Sequence, residues 1–150
     1  MNQNTKLPTK QFYLLLITCS VIIFATSLDA LFRVKDFALF NEWVISNELR
    51  GTATESELLS LFVSANLSVF FTKIIIPVTF ALYTYYAYIK LRINKLFVFI
   101  WTVLNIGGLA YTIVEFRFDS LFYYVISLSY IFLIYHLVNL SDMIKVNNSK

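Results

Sequence analysis

The chain has 150 residues, of which 59% are hydrophobic, 18% aromatic and only 14% charged, with a formal net charge of +3. Soluble domains carry about 25% charged residues, and a water-facing surface cannot be assembled from so few; a lipid surround removes that constraint. A single cysteine, Cys19, excludes an intramolecular disulfide, a CxxC pair and a cysteine-rich metal site, and the absence of a basic stripe with interleaved aromatics argues against nucleic acid.

The first apolar run covers residues 12–32 and follows Lys6 and Lys10. A bilayer core of roughly 30 Å needs about 20 helical residues, so this run is read as a span. Ala25-Thr26-Ser27 has the form of a leader cleavage site, but the apolar run continues past it to full spanning length. The following segment, 36–57, is amphipathic. Phe37, Phe40 and Val44 recur at helical spacing with Trp43 alongside, and Arg50-Gly51 reads as a helix end. Thr54 with Glu57 has the form of a capping box and sets a helix start before Leu58.

From Leu58 the chain is apolar to Ile89, longer than a membrane core requires. The span proper is placed at 66–89, and the preceding turns are expected to project outward, with Leu58, Leu59, Leu61 and Phe62 covered by the Trp43 helix. Two further spans are expected at about 96–114 and 120–140. Continuous rather than alternating apolarity excludes strands. The expected fold is all-α: a polytopic membrane protein forming one domain, a four-transmembrane-helix bundle with a small outer helical cap.

Basic flanks favour the cytoplasmic side. Lys6 and Lys10 precede the first span, Lys90, Arg92 and Lys95 fill the connection between the second and third, and Lys145 and Lys150 follow the fourth. The connection from Arg33 to Glu57 instead holds Asp36, Glu42, Glu48, Glu55 and Glu57 against three bases. Both termini are therefore expected in the cytoplasm. Tyr83, Tyr85, Tyr86 and Tyr88 then fall where an inner aromatic belt belongs.

Counted at 1.5 Å per residue from the inner ends, Asp29, Lys73 and Glu115 share a layer roughly 24–29 Å up, with Arg33 and Arg117 just above. Charge at that depth is a candidate functional network. The structural reading is stronger: Asp29 and Arg33 pair at i, i+4, Lys73 snorkels to the interface, and Glu115 marks the end of its span. Pro77 cannot bond the Lys73 carbonyl, so a helix kink is expected there. Ser60, Ser64, Ser68 and Thr72 form a small-residue ridge, and Trp101, Asn105, Gly108, Thr112 and Glu115 share a face; both are read as helix-packing surfaces. His136, the only histidine, is expected in a satisfied polar contact.

No GxSxG, HExxH, paired-aspartate or phosphate-loop pattern is present, so no catalytic residue, cofactor or metal site is expected. Trp43, the basic turn at 90–95 and the run Ile131-Phe132-Leu133-Ile134-Tyr135 resemble features of a family of small four-span bacterial membrane proteins of unknown function. That resemblance implies a topology and carries no site residues. The leading functional expectation is a non-enzymatic protein acting through protein contacts, as an accessory subunit, immunity-type protein or assembly factor, with a protein partner or a homo-oligomer. The alternative is an oligomeric channel or transporter for an ion or small solute that uses the charged layer.

Overall fold

The computed structural model describes residues 6–90, 93–115, 117, 118 and 120–147, with the side chains of 145–147 excepted. Arg92, Lys150 and the Lys145 side chain, which entered the charge argument, lie outside the described residues. Five helices follow in chain order: α1 (Thr9–Lys35), α2 (Phe37–Ser46), α3 (Glu55–Ile89), α4 (Lys95–Val114) and α5 (Leu121–Asn147). Four of them are long and apolar enough to cross a membrane: α1, α3, α4 and the Leu121–Ile144 part of α5.

Local chemistry explains where the helices begin and end. Arg33 and Lys35 occupy the last turn of α1, where cations offset the negative end of the helix dipole. Asp36 then caps α2, its carboxylate accepting the N–H groups of Ala38 at 3.0 Å and Leu39 at 3.1 Å. At the head of α3, the Glu57 carboxylate accepts the Thr54 N–H at 2.9 Å and its hydroxyl at 2.8 Å. Asn94 does the same for α4 through the Phe97 N–H, at 2.8 Å.

The stop of α2 differs from the expectation at Arg50-Gly51. The helix ends at Ser46, and Glu48 takes the left-handed position with φ 56°. Leu49 N–H reaches the Val44 carbonyl at 3.0 Å and Glu48 N–H the Ile45 carbonyl at 3.1 Å, the two bonds of a Schellman ending. A non-glycine residue at such a φ costs about 1–2 kcal/mol. The compensation is Leu49, which packs back onto the cluster containing Val44. Gly51, with φ 77°, serves the turn that leads into α3.

That cluster joins α2 to the first turns of α3: Phe40 and Val44 bury against Leu58 and Phe62, with Trp43 against the Phe62 ring at 5.6 Å. Leu59 and Leu61, which were expected beneath the same cover, are exposed, as is Phe37. A helix of 10 residues spans about 15 Å and shields one stripe of α3 only.

The main packing runs through α1, which lies against both α3 and α5, while α5 packs in turn on α4. Buried positions on α1 include Phe12, Leu15, Cys19, Ile22, Thr26 and Asp29, with Thr18 and Ala25 buried beside them. Those on α5 are Ile126, Tyr130, Leu133, Leu137, Leu140 and Ile144. Both series alternate steps of three and four, the seam geometry of helices crossing at a shallow angle. On α4, Trp101, Asn105, Gly108 and Thr112 are buried with the same spacing. Gly108 is small for a reason: a Cβ there would stand 2.9 Å from the Tyr130 ring and hydroxyl.

α3 turns Leu58, Phe62, Pro77, Phe80, Thr84 and Ala87 inward, with Phe80 against the Trp101 ring at 4.9 Å. It continues as one helix on both sides of Pro77, with the Lys73 carbonyl denied its usual partner. The ridge of Ser60, Ser64, Ser68 and Thr72 was read as a packing surface, but all four residues are exposed and no helix of this chain covers them. The reason is rotational. The inward face carries Lys73 and Phe80, and Thr72 stands about 100° around the helix from Lys73. Of the four tyrosines expected in an aromatic belt, Tyr83, Tyr85 and Tyr86 are exposed. Tyr88 instead stacks on Phe12 at 4.1 Å.

Candidate functional site: a charged cluster beneath α2

The five charged residues that the sequence places at one depth come together in space. Asp29 is the hub, with its side chain 8% exposed. One carboxylate oxygen accepts Arg33 Nε at 2.9 Å and lies 3.9 Å from Lys73 Nζ. The other lies 3.5 Å from an Arg117 terminal nitrogen and accepts the Ser120 hydroxyl at 3.3 Å. Glu115 accepts Lys73 Nζ at 2.6 Å and an Arg33 terminal nitrogen at 3.0 Å.

Four segments supply these groups: α1 gives Asp29 and Arg33, α3 gives Lys73, Glu115 caps α4, and the α4–α5 connection gives Arg117 and Ser120. Arg33 thus bridges both carboxylates, as the fork of a guanidinium allows. Glu115 stands at the negative end of the α4 dipole, an unfavourable place for an acid, and the two cations on it offset that penalty. Lys73 does not snorkel: its side chain is 8% exposed and its ammonium turns inward to Glu115. Glu115 likewise does more than end its helix. Ser120 is the member that the sequence did not announce; a hydroxyl three residues past Arg117 was its only signal.

Three spaces border on residues of the cluster. A cavity of about 370 Å³ lies under α2, lined by Arg33, Glu42, Trp43, Phe62, Asn66 and Arg117 among others. A throat of about 10 Å³ touches Asp29, Arg33, Asn66 and Lys73, room for about one water. On the other side of Lys73, a crevice of about 250 Å³ runs between α3 and α4, past Thr72, Gly107, Tyr111 and Tyr130. Beyond it, Phe80, Leu133, Leu137, Leu15 and Ile22 are fully buried.

The other singled-out residues stand apart. Asn105 is fully buried; its amide donates to the Trp101 carbonyl at 2.7 Å, and its carbonyl oxygen has no partner among the described residues. His136 was expected in a polar contact, yet its ring rests edge-on against Phe132 at 4.3 Å and Nδ1 has no partner among the described residues. Ser129, two turns back on the same helix, donates to the Val125 carbonyl at 2.7 Å. Cys19 is fully buried. No group of three or more metal-ligating side chains occurs among the described residues.

Comparison with known proteins adds no relative. No protein-family model matches the chain, and neither curated proteins nor solved structures gave a match.

Proposed function

We propose that the chain is a non-catalytic, multi-pass protein of the cell membrane, with both termini in the cytoplasm and α2 outside. In this reading it acts through protein–protein contacts, the first of them self-association, and that contact surface is the small-residue ridge of α3. The observation that carries the reading is the exposure of Ser60, Ser64, Ser68 and Thr72 on the least covered span. Only 6% of the apolar stretch of α3 is buried, against 39%, 28% and 28% for α1, α4 and α5.

Between lipid-facing helices there is no hydrophobic driving force; association depends on close packing, which small side chains permit. Leu61, Leu67, Phe71 and Ile75 are exposed beside the ridge and supply the flanking knobs. The occupant that fits is a second copy of this chain. Across a two-fold axis along the membrane normal, small residues at four-residue spacing meet their own kind at equal depth. The commitment of both Asp29 and Glu115 to cations supports a structural cluster over a catalytic one.

A second reading, an oligomeric channel or transporter for an ion or small solute, draws on the throat that reaches Lys73. The filled interior beyond Lys73 counts against a path within one chain, which would have to displace Phe80, Leu133 and Leu137; the reading therefore needs a path between copies.

Cysteine cross-linking tests the ridge as the contact, and flux separates the two readings. Ser64→Cys and Ser68→Cys, oxidised in native membranes, are expected to yield covalent dimers, whereas Leu128→Cys, exposed on α5, is not. Absence of dimer at both ridge positions, or equal dimer at position 128, would reject the ridge as the contact. Flux through liposomes that disappears with Lys73→Met would favour the conduit.

A further inference from the structure

The cavity under α2 has an uneven charge distribution. Its floor is cationic: Arg33 and Arg117 line it, and they belong to a cluster that, among the described residues, sets three cations, with Lys73, against two carboxylates, Asp29 and Glu115. Arg33 commits Nε and one terminal nitrogen, leaving the other terminal nitrogen without a bond among the described residues. Arg117 reaches Asp29 only at 3.5 Å, longer than the 2.7–2.9 Å or so of a charge-assisted hydrogen bond. Both arginines line the cavity.

The rim is of the opposite kind. Glu42 is exposed, lines the same cavity and pairs with no cation among the described residues. Trp43, one residue on, contributes an indole to the wall, a surface that attracts ammonium groups. Leu39, Phe62 and Val69 complete an apolar lining.

A simple anion would meet attraction at the floor and repulsion at the rim, and a simple cation the reverse. A ligand bearing both charges satisfies both. At about 370 Å³ the space falls within the usual range for small-ligand sites. Two guanidinium groups from different segments suit a phosphate, whose several acceptor oxygens can serve both at once.

We propose that this cavity binds a zwitterionic headgroup of the phosphoethanolamine type, the phosphate on Arg33 and Arg117 and the ammonium on Glu42 and Trp43. The inference stands apart from the ridge of α3, which lies on another face. The same chemistry has two sources, the headgroup of a membrane lipid or its water-soluble counterpart.

The test uses the full chain in a non-ionic maltoside detergent, with Trp43 fluorescence as the readout; Trp101, buried in the interior, supplies a constant background. Three probes are titrated: dihexanoyl phosphatidylethanolamine, dihexanoyl phosphatidylglycerol and glycerophosphoethanolamine. Saturable binding of the ethanolamine lipid about tenfold tighter than the glycerol lipid is expected, the weight of one well-placed charge contact. Glu42→Gln should erase that preference, and Arg117→Gln should weaken both lipids about tenfold, with Arg117→Lys recovering part of the loss. If glycerophosphoethanolamine binds as tightly as the lipid, the site takes the soluble headgroup; if only the lipid binds, the site belongs to the bilayer; either result supports the proposal. Equal affinity for the two lipids, no saturation by any probe, or a preference that survives Glu42→Gln would overturn it.

Discussion

Asp29→Asn should destabilise the protein by about 3–5 kcal/mol, the loss typical of removing one partner from a buried charged network. The asymmetry of the cluster explains why this residue and not Lys73 is the sensitive one. Without the Asp29 charge, Glu115 is the one carboxylate left to the cluster's three cations among the described residues, with Arg33 and Lys73 on it, and the Ser120 hydroxyl loses an ionised acceptor. Without the Lys73 charge, two cations still face two carboxylates, and Arg33 remains on Glu115 at 3.0 Å. Lys73→Met should therefore cost less, about 1.5–3 kcal/mol, the range for a hydrogen bond to a charged group. Adding Arg117→Gln to Asp29→Asn should restore part of the loss by removing one surplus cation. Unfolding in detergent, followed by circular dichroism, orders the three variants. A silent Asp29→Asn, or a Lys73→Met that is the more damaging, would mean that the cluster does not hold the helices together.

The second large effect belongs to α4, where two adjacent glycines should respond in opposite directions. Gly108→Ala puts a methyl 2.9 Å from the Tyr130 ring. Tyr130 is 2% exposed but borders the crevice between α3 and α4, so its ring can yield in part and the overpacking should cost about 1 kcal/mol, the low end of the usual range. At Gly107 a Cβ meets nothing within 4 Å, and alanine is a better helix former than glycine by about 1 kcal/mol. Gly107→Ala should accordingly be neutral or stabilising. The difference between the two midpoints, measured in one detergent, is the quantity of interest. Equal behaviour would mean that α4 and α5 do not approach at Gly108.

Which parts of this molecule can be read from its residues follows from contrast. The four long apolar runs stand out against polar connections, and Thr54 with Glu57 announces the head of α3, because caps use residue types that helix interiors avoid. The Asp29, Lys73 and Glu115 layer can be found by counting, since rise per residue converts position into depth. Inward faces are harder to see. α1 and α5 are apolar on every side, so the seams through Leu15, Cys19 and Ile22 and through Leu133, Leu137 and Leu140 leave no hydrophobic periodicity to detect. Only α4, with Asn105, Gly108 and Thr112 on one side, marked its inward face by polarity and size. The ridge on α3 was visible as a pattern but not in direction, because small residues four apart suit a neighbour from the same chain or from another. The end of α2 was misplaced because Gly51 is the conventional stop signal, whereas the left-handed residue is Glu48, held there by Leu49.

The measurement closest to the central claim, a protein that crosses the membrane four times with α2 outside, is cysteine accessibility in intact cells. Cys19 is fully buried and can remain as a silent background. Asn41→Cys and Thr52→Cys, exposed on either side of the α2 stop, should react with a membrane-impermeant thiol reagent; Lys6→Cys and Lys90→Cys, also exposed, should react only after the cells are opened. Labelling of position 90 from outside, with position 52 protected, would contradict the account, because it would place α2 and the charged cavity beneath it on the cytoplasmic face.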